Sequence, residues 1–221
     1  MELLEEWDWE SGKPTGRSIT RGESYRLGIP HEGVHLWIVR PVNGRTEILF
    51  QHRAKNKALY PDCLDITVGG HVPFGLVKNK IQKEAMEEIG ISPDDSELID
   101  LGYMKFEEKR ESYHHREFQH VYLMLSGLPL DSYRFNDGEV IGIYSVEAGF
   151  LSSLFTADSC REAEGFDGVS LVKRRLSRRD FHPLLFSEKM SGYMAVVLKG
   201  AEELVREGKV SVKMPLAQGG S

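Results

Sequence analysis

The sequence lacks the features that mark membrane, secreted and nucleic-acid-binding proteins. No apolar run approaches the roughly 20 residues that a membrane-spanning helix needs, and the acidic start, MELLEEWDWESGK, has neither the basic nor the apolar part of a signal peptide. The two cysteines, Cys63 and Cys160, are too few for a disulfide framework, and their spacing fits no metal motif. The formal net charge of −6 does not favour nucleic acid. We therefore expect a cytoplasmic protein with free thiols and no membrane or nucleic-acid partner.

The residues that are present predict one domain of mixed secondary structure, since 40% of the 221 are hydrophobic. The predicted strands cover 34–41, 46–53, 63–70, 96–106, 117–127 and the first part of 139–155, which ends in a short helix. Asn43 and Gly44 lie between the first two strands and are typical of a hairpin turn. A helix is predicted over 187–209, from Ser187 as N-cap to Gly208 as its end. This order predicts an α/β (α+β) fold.

The last third of the chain differs in character from the rest. We expect residues 1–165 to form the main domain and residues 166–221 to form a helical C-terminal extension packed on it. The basic run 173–179 is most simply the solvated face of a helix. The apolar stripe of the final helix is either a packing surface against the domain or a homodimer contact.

A further helix is predicted over 77–89, because apolar residues recur there at four-residue steps and Gly90 follows where a helix ends. Glu84, Glu87 and Glu88 share one face of this helix, and like charges so placed repel one another. The face is either simply solvated or holds a cation. The glycines of GGHVPFG, just before the helix, let the backbone approach a ligand closely, so a site for Mg²⁺ or Mn²⁺ is the sharper alternative.

The segment GGHVPFGLVKNKIQKEAMEEIGI resembles the Nudix box, G-x5-E-x7-R-E-U-x-E-E-x-G-U, in which U is aliphatic. Its second half fits closely, with Lys83 in place of the arginine. The first half is one residue short, and the expected early glutamate falls on Gly75 or Leu76 depending on the direction of counting. In the family this glutamate mainly braces the loop and helix. Its absence is the one feature that favours an alternative function, a nucleotide-binding module that hydrolyses nothing.

The resemblance implies a Nudix α/β/α sandwich with a mixed sheet, extended by the C-terminal helices. It implies hydrolysis of a small-molecule diphosphate, such as a nucleoside diphosphate derivative, with Mg²⁺ or Mn²⁺ as cofactor. The family's metal ligands fall on Glu84, Glu87 and Glu88. The catalytic base varies across the family, and Glu88, Glu117 and Glu139 are the candidates in that order, with Glu84 also in the catalytic set.

Outside the box, residues 5 to 150 resemble the subgroup related to isopentenyl-diphosphate isomerase, notably in the stretch HRAKNKALYP. The isomerase needs a cysteine where this chain has Gly69, which argues against that activity. Its metal nest of three histidines and two glutamates is matched only by His31, His71 and Glu117, and Gln119 replaces the second glutamate.

The subgroup resemblance also suggests substrate contacts. Arg53 and Lys57 match positions that bind the diphosphate, and cationic donors suit phosphate oxygens. Tyr60 could stack on a ring, and Gly70 and His71 lie in the glycine loop. The adjacent His114 and His115 point to opposite faces of a strand and make a poor chelate as a pair, so we expect a solvated loop edge there.

Overall fold

The computed structural model describes residues 2–215, and the C-terminal tail AQGGS, for which the sequence carries no structural signal, lies outside this range. The strands are β1 (Leu3–Asp8), β2 (Lys13–Thr20), β3 (His31–Val42), β4 (Arg45–Arg53), β5 (Leu64–Asp65), β6 (Val68–His71), β7 (Ile99–Lys109), β8 (His114–Leu125), β9 (Val140–Glu147), β10 (Cys160–Phe166) and β11 (Leu171–Ser177). The helices are α1 (Arg21–Leu27), α2 (Lys80–Ile89), α3 (Ala148–Ser153) and α4 (Ser191–Glu207).

A nine-stranded mixed sheet forms the centre of the protein. Its main path runs β11-β10-β9-β4-β3-β8-β7, with β5 paired to β4 and β6 paired to β3. The β3–β8 pair is parallel, whereas the other described pairs are antiparallel. Asn43 and Gly44 both have positive φ and close the β3–β4 hairpin, which confirms the predicted turn. A separate hairpin of β1 and β2, which the sequence reading missed, packs beside β3.

Helices cover both faces of this sheet, as the burial and the alternating contacts of strand β3 show. Its residues are buried without a break from His31 to Val39, as expected of a strand covered on two sides. Leu36 and Ile38 pack toward α2, whereas Trp37 and Val39 pack toward α3 and α4. The result is the predicted α/β/α sandwich with a mixed sheet.

In the C-terminal region, the structure corrects the prediction for the basic run and decides between the two roles considered for the final helix. The basic run lies in strand β11 rather than on a helix, and its Arg174 pairs with Asp180 at 2.6 Å. Helix α4 ends at Gly208 as predicted, and its apolar stripe is buried against the sheet, so this stripe is a packing surface. The hydroxyl of Tyr193 anchors it by accepting from Trp37 Nε1 at 2.8 Å. The division of the chain at residue 165 stays a prediction, and strand β10 crosses it while pairing with β9.

Helix α2 is shorter than predicted. It begins at Lys80 rather than at 77, and Val77 is exposed. Gly75 and Asn79 both have positive φ, so the backbone turns twice before the helix can start. At its first residue, Lys80 Nζ lies 2.6 Å from the buried carboxylate of Glu32 on β3, which ties the helix to the sheet. This ion pair braces the helix in a chain that lacks the early glutamate of the box pattern.

Candidate functional site

A cleft of about 830 Å³ opens between α2, the loop before it, and the loops that precede β5 and β9. This volume is within the usual range for small-molecule sites. Every residue that the sequence reading named as catalytic, substrate-binding or metal-binding lines the cleft: Arg53, Lys57, Tyr60, Gly70, His71, Glu84, Glu87, Glu88, Glu117 and Glu139. Their roles stay predictions, but the fold brings them together.

The three glutamates of α2 differ sharply in their surroundings. Glu88 is buried, and its Oε2 accepts hydrogen bonds from the Gly69 backbone N–H at 3.1 Å and from Gln51 Nε2 at 3.2 Å. Glu84 is largely buried, whereas half of the Glu87 side chain is exposed. The glutamate face of α2 therefore extends from the buried side of the helix to solvent. It is not a simply solvated surface, which was one of the two alternatives drawn from the sequence.

Local geometry and charge fix this face. A Cβ on Gly70 would overlap the carboxylate of Glu84, so the glycine is what allows the loop and helix to approach each other. Lys83 Nζ lies between the other two carboxylates, 3.0 Å from Glu84 and 2.6 Å from Glu87, and partly offsets their repulsion. Burial raises the pKa of Glu84, and it raises the pKa of Glu88 well above its usual value. A cation in the cleft would stabilise both carboxylates in their ionised form.

A group of three carboxylates extends from the buried Glu88 to the exposed mouth of the cleft. Glu88, Asp137 and Glu139 each offer an oxygen that lies within 4.8 Å of the others. Glu139 is about half exposed and forms a close ion pair with Lys57. Asp137 was missed by the sequence reading, although its place in FNDGEV, two residues before Glu139, was a usable signal. We call Glu88, Asp137 and Glu139 the oxygen group.

The loop after β4 forms the opposite wall. The Arg53 guanidinium donates to the carbonyl oxygens of Leu59 and Tyr60 and to the Asp65 carboxylate, so three of its donors brace this loop. Tyr60 has a φ of +51°, a conformation that is uncommon outside glycine and asparagine, and its ring lies 4.0 Å from the ring of His182. Arg53 therefore acts on the cleft chiefly through the position of this loop.

A second group of potential metal ligands lies at and beneath the floor of the cleft. His31, His71, His115 and Glu117 each place a ligating atom within 4.8 Å of the others, and we call them the histidine group. His115 and His114 do point to opposite faces of β8, as predicted, and His114 pairs with Glu107 at 2.6 Å. The expectation that this stretch is only a solvated edge is wrong, because His115 faces residues of other strands.

Burial controls the protonation of His31 and His71. It lowers the pKa of His31 to about 4 and that of His71 to about 3, so both imidazoles are neutral near pH 7. Burial also raises the pKa of Glu117, but the imidazoles around it, with His115 Nε2 at 3.8 Å, outweigh burial, and the net shift is downward. The floor thus combines the neutral imidazoles of His31 and His71 with a third imidazole and one carboxylate.

Comparison with known proteins identifies the family. No protein-family model matches the chain. An uncharacterised Nudix hydrolase of Clostridium acetobutylicum is 30% identical over 208 residues, which cover 90% of this chain and 96% of that protein. The chain belongs to the Nudix hydrolase family. Nudix hydrolase 3 of Arabidopsis thaliana is 32% identical over 152 residues, 65% of this chain but only 19% of the longer plant protein.

The fold has a counterpart among solved structures. The crystal structure of DR0079 from Deinococcus radiodurans superposes with a TM-score of 0.51 at 22% sequence identity, over 68% of this chain and 86% of that one. This likeness concerns the fold alone. The narrower resemblance to the isopentenyl-diphosphate isomerase subgroup is not tested by these comparisons and stays a prediction.

Membership in the Nudix family makes this chain an enzyme that acts on pyrophosphate bonds, and enzymes of the family generally use a divalent metal such as Mg²⁺. The residues of the cleft fit such an ion, because the oxygen group supplies the hard ligands that Mg²⁺ prefers and Gly70 leaves room for the Glu84 carboxylate. No helix among residues 2–215 is long and apolar enough to cross a membrane.

Proposed function

We propose that this Nudix hydrolase cleaves the diphosphate linkage of a nucleoside diphosphate derivative or a related organic diphosphate, with Mg²⁺ or Mn²⁺ as cofactor. The observation that carries the proposal is the oxygen group, three carboxylates within 4.8 Å of one another in a cleft bordered by the glycine loop. Three carboxylates held this close repel one another and favour a bound cation.

Glu88, Asp137 and Glu139 would hold the metal together with Glu84 and Glu87. When bound, the metal would supply charge stabilisation for the phosphoryl oxygens and would lower the pKa of a water molecule. Gly69 and Gln51 keep the Glu88 carboxylate oriented toward the cleft. Helix α2 is fixed in turn by Lys80 and Glu32, so the ligand positions are set before substrate arrives.

Two lysines of the cleft are suited to bind the diphosphate. Lys57 is paired with Glu139, and Lys83 is paired with Glu84 and Glu87, so both ammonium groups lie directly beside the carboxylates. A diphosphate entering the site would offer these lysines stronger acceptor oxygens as the carboxylates turn to the cation. Arg53 contributes by holding the loop that carries Lys57.

Glu139 is the carboxylate best placed to accept a proton from the attacking water. Glu88 already accepts two hydrogen bonds and is buried, and Glu117 belongs to the histidine group, whereas Glu139 is half exposed and can pass a proton to solvent. This order reverses the sequence-based ranking, in which Glu88 came first and Glu139 last.

The wall formed by Tyr60 and His182 supports an organic group that contains a ring. The two rings lie 4.0 Å apart at the edge of the same cleft, and the Tyr60 hydroxyl is held by Glu108 at 2.9 Å. An aromatic face fixed in this way favours stacking with a nucleobase. We therefore place the nucleoside part of the substrate against Tyr60 and the diphosphate between Lys57 and α2.

The test is phosphate or nucleotide release from a panel of organic diphosphates, with Mg²⁺, with Mn²⁺ and with chelator. The panel contains nucleoside diphosphate sugars, dinucleoside polyphosphates, dinucleotide cofactors and isopentenyl diphosphate. Glu88→Gln should lower kcat by about 10²- to 10⁴-fold, since it removes charge from the oxygen group. Glu202→Gln is the matched control, because Glu202 is an exposed glutamate on α4 outside the cleft.

The outcomes separate the proposal from its rivals. Metal-dependent release that is lost in Glu88→Gln and kept in Glu202→Gln supports it. Isomerisation of isopentenyl diphosphate without release would instead favour the isomerase. Silence across the panel, together with thermal stabilisation by one of its members, would identify a binding module.

A further inference from the structure

We propose that His35 is a specificity-determining residue, whose Nε2–H binds a neutral acceptor atom on the organic group of the substrate, such as a ring nitrogen or a carbonyl oxygen of a nucleobase. The side chain belongs to β3, is 8% exposed and lines the cleft. This inference rests on the proposed function for the class of substrate. It adds which part of the substrate is recognised, and by which atom.

The hydroxyl of Tyr193, on α4, fixes the tautomer of His35. Trp37 Nε1 can only donate and lies 2.8 Å from this oxygen, so the hydroxyl accepts from Trp37. Its own proton then goes to His35 Nδ1 at 2.9 Å, because Tyr193 is fully buried and an unpaired O–H there would be costly. Burial lowers the pKa of His35, so the ring is neutral near pH 7. With Nδ1 as an acceptor, the ring proton is on Nε2.

The Nε2–H group is open to the cleft and has no partner among residues 2–215. The hydrogen bond of the ring is made by Nδ1, and Nε2 is not sealed from solvent, in contrast to Nε2 of His31 and of His115. Gly69 lies opposite His35 on β6 and keeps the nitrogen uncovered, since a Cβ there would lie 4.0 Å from Nε2. A donor that the core orients and that a cleft exposes is suited to bind a ligand.

The charges around His35 favour a neutral acceptor over a phosphate. Side chains alternate along β3, so His35 lies with Trp37 on the α4 side of the sheet, away from α2 and its Lys83. The carboxylates of Glu117 and Asp65 both act on His35 electrostatically. Because these negative charges repel a phosphate, we expect the organic group of the substrate to occupy this part of the cleft.

Apolar side chains lie on the same side of the sheet and suit such a group. Ile66, Leu185 and Met190 line the cleft and belong to the same core cluster as Trp37. Met190 is the N-cap of α4, one turn before Tyr193. Leu185 follows His182 by three residues, so the wall that carries Tyr60 and His182 continues into this part of the cleft. A few polar groups in apolar surroundings are typical of a site that orients a small molecule.

Helix α4 therefore contributes to substrate selection without touching the substrate. Tyr193 is fully buried, so it is a positioning residue that acts through His35. This gives the C-terminal helix a role in recognition besides its packing against the sheet.

The test measures binding by calorimetry, with Mg²⁺, of the α,β-methylene analogues of ADP, GDP, CDP and UDP. Methylenediphosphonate, which has no organic group, is measured beside them. His35→Phe keeps a ring but removes the donor, so we expect binding of the best analogue to weaken about 10- to 100-fold, with methylenediphosphonate unaffected. His35→Gln should recover part of the loss, because its amide can donate.

Tyr193→Phe tests the tautomer. Without the hydroxyl, the proton can occupy either ring nitrogen, so the affinity should fall at least about twofold. Nitrogen NMR of labelled histidine should show the Nε2–H form of His35 in wild type and a mixture in the variant. Tyr122→Phe is the matched control, because its hydroxyl also contacts a histidine, His120 Nδ1 at 2.9 Å, but lies outside the cleft.

Three results would overturn the inference: equal affinity of wild type and His35→Phe for every analogue, an equal loss of affinity for methylenediphosphonate, or an Nδ1–H tautomer in wild type. If His35→Phe does not fold, His35→Gln and the wild-type tautomer remain decisive. Binding that depends on His35 in a protein that hydrolyses nothing would support this inference and contradict the proposed hydrolysis. Hydrolysis together with unchanged binding in His35→Phe would do the reverse.

Discussion

The oxygen group and the histidine group lie in the same cleft but are built in different ways. The oxygen group reaches the mouth through Glu139, which is half exposed and has Lys57 beside it. The histidine group lies on the floor, where His31 is fully buried beneath α1. The contrast is between carboxylates that can meet substrate and water and a buried set of imidazoles with one carboxylate.

Alanine substitutions at two glycines should have the largest effect that distinguishes the glutamates of α2 from the histidine group. Gly70→Ala would push the Glu84 carboxylate out of place, and Gly33→Ala would do the same to Glu117 of the histidine group. A misplacement of about 1 Å can cost roughly 100-fold in rate, so we expect Gly70→Ala to lose about that much kcat/KM. Gly33→Ala should lose much less, because it leaves the glutamates of α2 in place.

Hydrolysis assays on both variants check this expectation. Gly127→Ala serves as the control for a glycine substitution, since Gly127 has open space around it, does not have positive φ and lies outside the cleft. If Gly33→Ala lost as much activity as Gly70→Ala while Gly127→Ala kept it, the histidine group would be part of the hydrolytic site.

The same contrast explains what could be predicted from the sequence. The glutamates of α2 lie within five residues, so their common face follows from helical spacing alone. The histidine group joins residues 31, 71, 115 and 117, and only the register of three strands shows that they meet. His115 was considered against its neighbour His114, which is the wrong partner, because a strand sends adjacent side chains to opposite faces.

Two other errors have local causes. Strand β2 was missed because it is exposed over almost its whole length and shows no apolar alternation. Strand β11 was taken for a helix because its charged residues obscure the alternating exposure that the structure reveals. By contrast, β3 and β4 were found readily, since their buried apolar runs and the turn at Asn43 and Gly44 are strong signals.

Asp137→Asn tests the composition of the oxygen group with a smaller expected effect. Removing one of several carboxylates from the group should raise the Mg²⁺ concentration needed for half-maximal hydrolysis by about tenfold, with kcat at saturating Mg²⁺ less affected. Metal titrations of hydrolysis measure this directly. Asp131→Asn is the control, because Asp131 is exposed, lies six residues earlier and does not line the cleft. An unchanged Mg²⁺ requirement would remove Asp137 from the site.

The folding stability of metal-free protein should depend on pH in opposite directions through His31 and through Glu88. Burial lowers the pKa of His31 to about 4, so the unfolded chain binds more protons and stability is lost as pH falls from about 6.5 toward 4. Burial raises the pKa of Glu88, so this group has the opposite effect and favours folding as pH falls.

Urea unfolding of metal-free protein between about pH 4 and 7 can measure both effects. Glu88→Gln should be more stable than wild type near neutral pH, with a smaller advantage in acid. If Glu88→Gln were instead less stable than wild type at neutral pH, the hydrogen bonds to Glu88 would be holding its carboxylate ionised.

The most direct test of the account is one Mg²⁺ titration of hydrolysis in wild type, Glu88→Gln and Asp131→Asn, with the best substrate of the panel. We expect no hydrolysis without metal, a rise with Mg²⁺ in wild type and in Asp131→Asn, and a kcat lower by about 10²- to 10⁴-fold in Glu88→Gln at every Mg²⁺ concentration. Equal hydrolysis in Glu88→Gln and wild type would show that the oxygen group does not hold the catalytic metal and would contradict the account.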